Sequence, residues 1–502
     1  MRFRFYLVSL CLVLTACGTQ IVNPVTGESE FSVMSESDEV DEGRKAHQQV
    51  LQEYGVYDNP KLQSYVNTLG QKLAAESHRN HLQWHFTVLD SPEINAFALP
   101  GGYVYVTRGI MAYMESEADL AGVVGHEIGH VTARHGAQRA TSQQKAGVGI
   151  FAASVLGAVL ESQGVSGAGR LASDLSQTVA AGLIASYGRE QELQADGLGA
   201  EYLARTHYNP RNMVNVIKVL KNQERFAEDL ARSEGRPAPK KGDWLASHPS
   251  NDQRLDIITQ LASQYDSADK PPDDGRPAYL KAIAQMNFGE SPAQGVSRGQ
   301  HFYHVSLGFA LTAPEGWRIQ NNADDLAVIS PAGDAALVLN LVPQELGNNH
   351  DAIVRKLLKP SQGRSEATQI NGMQATRFSG SRKNPQGQTS ALEATVINGP
   401  LNHVFLLLLS AKNAQGLQKA KSKLQEVEGS FRALTAQDRL AARPWVIKTV
   451  SYPPGGFVEL AKTSPIARPE QQLRLINGYY GGGEPALGSR VKVVDVAGTK
   501  SP

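Results

Sequence analysis

The chain is 502 residues long, and 49 Lys and Arg balance 49 Asp and Glu, so its formal charge is zero. That balance provides no basic field to draw in nucleic acid, and no nucleic-acid partner is expected. The length exceeds what one hydrophobic core supports and predicts several domains of ordinary globular composition.

Arg2 and Arg4 precede an apolar run over residues 5–13, too short for a stable bilayer span, so residues 1–16 read as a secretory signal. The run ends in Leu14-Thr15-Ala16-Cys17, which resembles the lipobox of bacterial lipoproteins. The resemblance implies cleavage before Cys17 and acylation of that residue. Gly18 follows where Asp would favour the inner membrane, implying a lipid anchor on the periplasmic face of a Gram-negative outer membrane. Cys11 leaves with the signal, so no disulfide is expected.

A polar tether over residues 17–35 leads into an acidic helix near residues 36–54. Leu62, Tyr65, Val66, Leu69 and Leu73 then mark the buried face of a second helix by their spacing. Residues 84–89 read as a strand. Asn95-Ala96-Phe97-Ala98-Leu99 reaches a Pro100-Gly101-Gly102 turn and a strand over 103–106, which together predict a small antiparallel sheet. Ser116 and Asp119 have capping-box form and open a helix through Leu120, Val123, Val124, Ile128 and Val131. The Gly/Ala-rich run at 146–160 is too short for a confident span and reads as a packed helix; another helix covers about 189–205. Residues 236–242 look like a loop, and the Pro/Asp-rich start of 266–296 predicts a linker.

The capped helix contains His126-Glu127-Ile128-Gly129-His130. Imidazoles four residues apart share a helix face and can grip one metal ion. A hydrolytic zinc site needs three protein ligands, an open position for water and a base for that water's proton. His126 and His130 supply two ligands, while Glu127, offset by about 100° around the helix, is placed to act as general base. Ala133 and Gly136 stand where a metzincin would have Gly and its third His, which excludes that class. His135 lies about 180° and 140° around an ideal helix from the two histidines and reads as structural. Glu192 and Asp196, four apart on the later helix, are the better third ligand and its hydrogen-bonding support; Glu190 points about 200° from Glu192.

HEIGHVTARH followed by REQELQAD resembles the zinc metallopeptidase family, of gluzincin type, that includes the CAAX prenyl proteases, the Oma1 proteases and the periplasmic BepA and LoiP proteases. The match extends from Asn23-Pro24-Val25-Thr26-Gly27 through the NAFALPGG strand entry to Ser247-His248-Pro249 and Arg254, covering roughly residues 23–261. The resemblance implies one zinc per chain held by His126, His130 and Glu192, with Asp196 supporting a ligand. It also places His248 and Arg254 near the zinc. There His248 would either stabilise an oxyanion or plug the open position. Asn95, Ala96, Phe97 and Gly102 would bind substrate along an edge strand by main-chain hydrogen bonds.

The expected architecture is therefore α+β and multidomain: a mainly helical peptidase domain over 36–265 with its small sheet, then an accessory α+β domain over 297–435. The accessory domain resembles the PsbP or Mog1 type through Phe302 to Trp317. Residues 443–495 resemble a LysM domain, departing from that family at Pro454-Gly455-Gly456-Phe457, and suggest peptidoglycan as a partner. The functional expectation is a lipid-anchored periplasmic zinc endopeptidase acting on unfolded or misassembled envelope proteins. The rival expectation is a normally plugged lipoprotein that holds chains or binds peptidoglycan. A multi-span membrane protease is excluded by the absence of long apolar segments.

Overall fold

The computed structural model describes residues 18–145, 187–233, 235, 248, 252–264, 273–322, 325–383 and 389–498. The signal, Cys17, the apolar run at 146–160, the loop at 236–242 and the first part of the expected linker lie outside these residues.

A hairpin of Thr19–Val22 and Ser29–Ser32 leads to helix Glu36–Tyr54, opened by a Ser35/Asp38 capping box. Helix Pro60–Ala75 starts at an Asn59 cap and buries Leu62, Val66, Leu69 and Leu73, the stripe its spacing predicts. The motif helix, Glu117–Thr132, is capped by Ser116 and buried at every residue after Glu117. A helix apolar on all sides belongs in the middle of a domain, and this one has the small sheet, Pro60–Ala75, Arg189–Arg205 and Asn212–Ser233 packed around it.

The sheet differs from the expected antiparallel arrangement. Ala96–Leu99 pairs antiparallel with Tyr103–Thr107, but His85–Leu89 pairs parallel with the other side of Tyr103–Thr107. Residues 90–95 carry the chain across, which leaves Ala96–Leu99 at the sheet edge. Gly101 and Gly102 make the tight return at φ of 81° and 98°. A Cβ on Gly102 would lie 2.8 Å from the Gln83 carbonyl oxygen, so a side chain there is excluded twice over.

The expected linker is structured from residue 273 onward. Helix Arg276–Ala282 buries Tyr279 and Leu280 in the same core as the motif helix, with Ile283 and Met286 following, and strand Asn287–Phe288 pairs with Trp445–Ser451. Proline and aspartate at the start of the segment mask this short apolar spacing. The C-terminal segment is a pair of antiparallel strands, Trp445–Ser451 and Arg490–Val496, enclosing helices Gly456–Ala461 and Pro469–Ile476. It does not stand apart: Ile447, Phe457, Leu473 and Val491 join the same apolar core as the motif helix. Lys492 is fully buried where it donates to the carbonyls of Ala112 and Met114 at 3.1 and 2.6 Å and meets Glu115 Oε1 at 2.8 Å. A buried ammonium requires such partners, and these hold the segment against the chain that enters the motif helix.

Between them lies the α+β domain. A seven-stranded antiparallel sheet runs from Arg318–Asn321 at one edge to Gln362–Ile370 at the other, with helices His350–Leu358 and Ala414–Ser430 on opposite faces. No helix among the described residues is long and apolar enough to cross a membrane.

Candidate metal centre

Glycine brings the two ligand-bearing helices together. A Cβ on Gly129 of the motif helix would stand 3.0 Å from the Ala195 carbonyl oxygen, and one on Gly199 would stand 3.1 Å from the His126 nitrogen. Only at this close approach do Glu192 and Asp196 reach the histidines. All four are almost fully buried, whereas Glu190 is exposed at the helix start.

His126, His130, Glu192 and His248 each offer a ligand atom, and these atoms lie within 4.8 Å of one another. His126 Nε2 is 3.0 Å from His130 Nε2, 3.2 Å from His248 Nδ1 and 3.6 Å from Glu192 Oε2. His130 Nε2 is 3.5 Å and His248 Nδ1 is 2.9 Å from Glu192 Oε1. Donors about 2.0–2.1 Å from a tetrahedral zinc stand about 3.3 Å apart, so these separations fit the set to that ion. Two or three imidazoles and a carboxylate are also the donor chemistry zinc prefers. Glu127 Oε1 is 3.6 Å from His248 Nε2, which sets the candidate base against the same cluster.

Charge behind the donors is ordered by Arg254. Its Nε and Nη2 grip Asp196 at 2.5 and 2.8 Å, and its Nη1 reaches Glu192 Oε2 at 2.9 Å. Burial pushes the Asp196 carboxyl up, but Arg254 overrides it and holds Asp196 down at about 2. Glu192 is likewise held below the usual carboxylate range against burial, by His248 and, less strongly, by Arg254. Asp196 Oδ1 lies 2.9 Å from His126 Nδ1. Burial pulls His126 down, and the Asp196 carboxylate more than restores it. His130 has no such acid and is kept well below its ordinary value by burial and by the neighbouring imidazoles.

His135 is not a ligand, yet it touches one. The motif helix ends at Thr132 and Arg134 turns left-handed at φ 58°, so ideal-helix angles do not apply beyond it. The turn brings His135 Nδ1 to 2.8 Å from His130 Nδ1, while His135 Nε2 lies 2.9 Å from Gln194 Oε1. For His130 to present Nε2 to a metal, its Nδ1 must carry the proton and donate to His135. His135 then donates its own proton to Gln194, and burial, only partly offset by Gln194, keeps His135 neutral with a pKa pushed down to about 4. Gln194 thus fixes both tautomers. Gln194→Leu is expected to weaken zinc binding about 10–100-fold in chelator competition, and unchanged affinity would refute this role.

Sequence spacing missed Gln194 because its partner lies beyond a left-handed turn. It also missed Tyr187, whose ring stacks on His130 at 3.9 Å and 16°, with the Arg139 guanidinium 4.3 Å from the same ring. Tyr187 and His130 face Ala98, Leu99 and Pro100 across a cavity of about 10 Å³. Of the residues expected to meet substrate, Ala96 and Phe97 are buried on the edge strand. Gly102 occupies the turn with its carbonyl accepting from His85 N. Asn95 Oδ1 is buried and has no hydrogen-bond partner among the described residues.

Comparison with known proteins agrees with this geometry. Residues 60–262 match the family model for peptidase family M48. The chain is 34% identical over 211 residues to a beta-barrel assembly-enhancing protease of Yersinia pestis, covering 42% of this chain and 40% of that protein. It is 31% identical over 244 residues to the beta-barrel assembly-enhancing protease of Escherichia coli K12, covering 48% and 47%. A mitochondrial metalloendopeptidase OMA1 of Arabidopsis thaliana is 30% identical over 234 residues, covering 46% and 41%. The chain therefore spans less than half the length of these relatives. Among solved structures, cyanobacterial PsbP from Synechocystis is 16% identical with a TM-score of 0.21, covering 28% of this chain and 98% of that one. No shared fold follows from a score of that size.

Proposed function

We propose, from the match of residues 60–262 to peptidase family M48, that the chain is a zinc-dependent endopeptidase of the bacterial envelope. Its substrates are unfolded or misassembled envelope proteins. The observation that carries this reading is the buried cluster of His126, His130, Glu192 and His248 with the Glu127 carboxylate against it. The names of the bacterial relatives, which concern β-barrel assembly, support the substrate class.

Bound zinc supplies Lewis acidity, polarising a peptide carbonyl and making a water easier to deprotonate. Glu127 takes the water's proton and returns it to the departing amine. An extended substrate pairs with the free edge of Ala96–Leu99, where it reads as one more antiparallel strand. The unpartnered Asn95 Oδ1 accepts from a substrate amide there. Because such contacts are made to backbone, denatured chains are cleaved faster than folded ones.

A second reading, that the resting enzyme is plugged, is favoured by two observations. His248 Nδ1 lies at donor distance from both Glu192 and His126. The space between Tyr187 and Pro100 admits no more than one water, so a substrate strand needs Tyr187 to move. Under this reading His248→Ala raises casein cleavage. A lower kcat with unchanged substrate binding would instead assign His248 to oxyanion stabilisation. Arg254 positions Glu192 and Asp196 through its contacts to both carboxylates.

Acylated Cys17 anchors the chain to outer-membrane lipid in this proposal, and the LysM-like segment at 443–495 contacts peptidoglycan. Cys17→Ser should free the protein from membranes in a carbonate wash; retention would remove the anchor from the account.

A further inference from the structure

A second cavity is lined by none of the clustered histidines. It measures about 1150 Å³ and opens between helix Asn212–Ser233, helix Arg276–Ala282 and the loop that enters strand Arg490–Val496. Small-molecule pockets usually span about 300–1,000 Å³, so this one suits a larger ligand. We propose that it binds an extended polypeptide segment bearing a carboxylate, as an exosite for the chain being degraded.

Three features define that ligand. Val219, Leu280, Val491 and Tyr479 make the walls largely apolar, which favours side chains of leucine or aromatic type. Asn222 adds an amide suited to peptide N–H and C=O groups, while Asn215 is already hydrogen-bonded to Asp119. Both acids in the lining are already satisfied. Glu115 pairs with Arg276 and Lys492, and Asp119 accepts from Asn212 at 2.6 Å and from the Glu115 amide at 3.1 Å. Lys218 and Lys281 are exposed on the lining and form no ion pair among the described residues. Arg490, tied to Thr449, adds a third positive charge. The rim is therefore complementary to an anion. An acyl chain would need a closed tunnel with few amides, so peptide is favoured over lipid.

Position gives the site its use. Asp119 and His126 share the motif helix seven residues apart, about 10 Å along its axis; because that helix is buried throughout, a bound chain reaches the zinc around the surface of the domain. A segment held here raises the local concentration of its neighbours near the zinc.

This role rests on the peptidase reading, but its test does not require cleavage. The full chain carrying Glu127→Gln would be titrated by fluorescence anisotropy with a labelled peptide of leucine, aspartate and serine, and with its lysine-for-aspartate counterpart. The acidic peptide is expected to bind at least about tenfold more tightly. Lys218→Glu with Lys281→Glu should abolish that preference, and Asn222→Trp, which fills the mouth, should weaken the acidic peptide alone. Equal binding of the two peptides, or acidic-peptide binding unchanged in both variants, overturns the proposal. So does loss of binding to phosphatidylglycerol vesicles, in the charge variant, with peptide binding intact. Failure of the wild-type chain to cleave casein, with these titrations as expected, would count against the peptidase reading and leave the binding site standing.

Discussion

Glu127→Gln should lower casein cleavage by about a thousandfold or more while zinc content stays unchanged. Glutamine keeps the size of a side chain that is fully buried, so the helix and the donors around it remain in place. It cannot accept a proton from water at neutral pH, so the step assigned to Glu127 is lost and the zinc contacts of His126, His130 and Glu192 are kept. Zinc content by elemental analysis and cleavage rate should be read on the same preparation. Cleavage within tenfold of the parent would assign the base elsewhere. Loss of zinc together with activity would make Glu127 a structural member of the site.

Arg254→Met should cost about 3–5 kcal/mol of stability in the metal-free protein, because it strands two buried carboxylates, Asp196 and Glu192, without their cation. Arg254→Lys should recover only part of this, since an ammonium cannot reproduce the fork that holds both oxygens of Asp196. Acidification gives a second readout. Asp196 titrates near 2 in the fold against an ordinary 3.8, so its stabilisation is fully present above pH 3.8 and is lost as pH falls through about 2. The parent should shed that stability over the acid range, and the Met variant should show a flatter acid limb. Denaturant unfolding across that range checks both statements, and a neutral-pH difference under about 1 kcal/mol would contradict them.

Much of this site could be read from spacing because its parts are local to two helices. His126 and His130 share a face four residues apart, as do Glu192 and Asp196, and helix period alone predicts each pair. Their meeting depended on Gly125, Gly129, Ala195 and Gly199 allowing the helices to touch, a pattern visible in the sequence but unread. The reading weakened wherever the backbone left a regular element. Arg134 turns left-handed, so His135 came back onto His130 although ideal-helix angles directed it away. The strand His85–Leu89 is legible in the sequence but its parallel pairing is not, because a six-residue connection can either fold back or cross, and only tertiary packing chooses. The attachment of the C-terminal segment is not legible in the sequence, because Lys492 looks like a surface residue until its carbonyl partners, some 380 positions earlier, are known.

The most direct test is chelation and add-back on the purified full chain, with casein cleavage and bound metal measured together. Zinc at one per chain, cleavage abolished when it is stripped and restored when zinc alone is returned, is the result this account predicts; cleavage that persists in the stripped protein would contradict it.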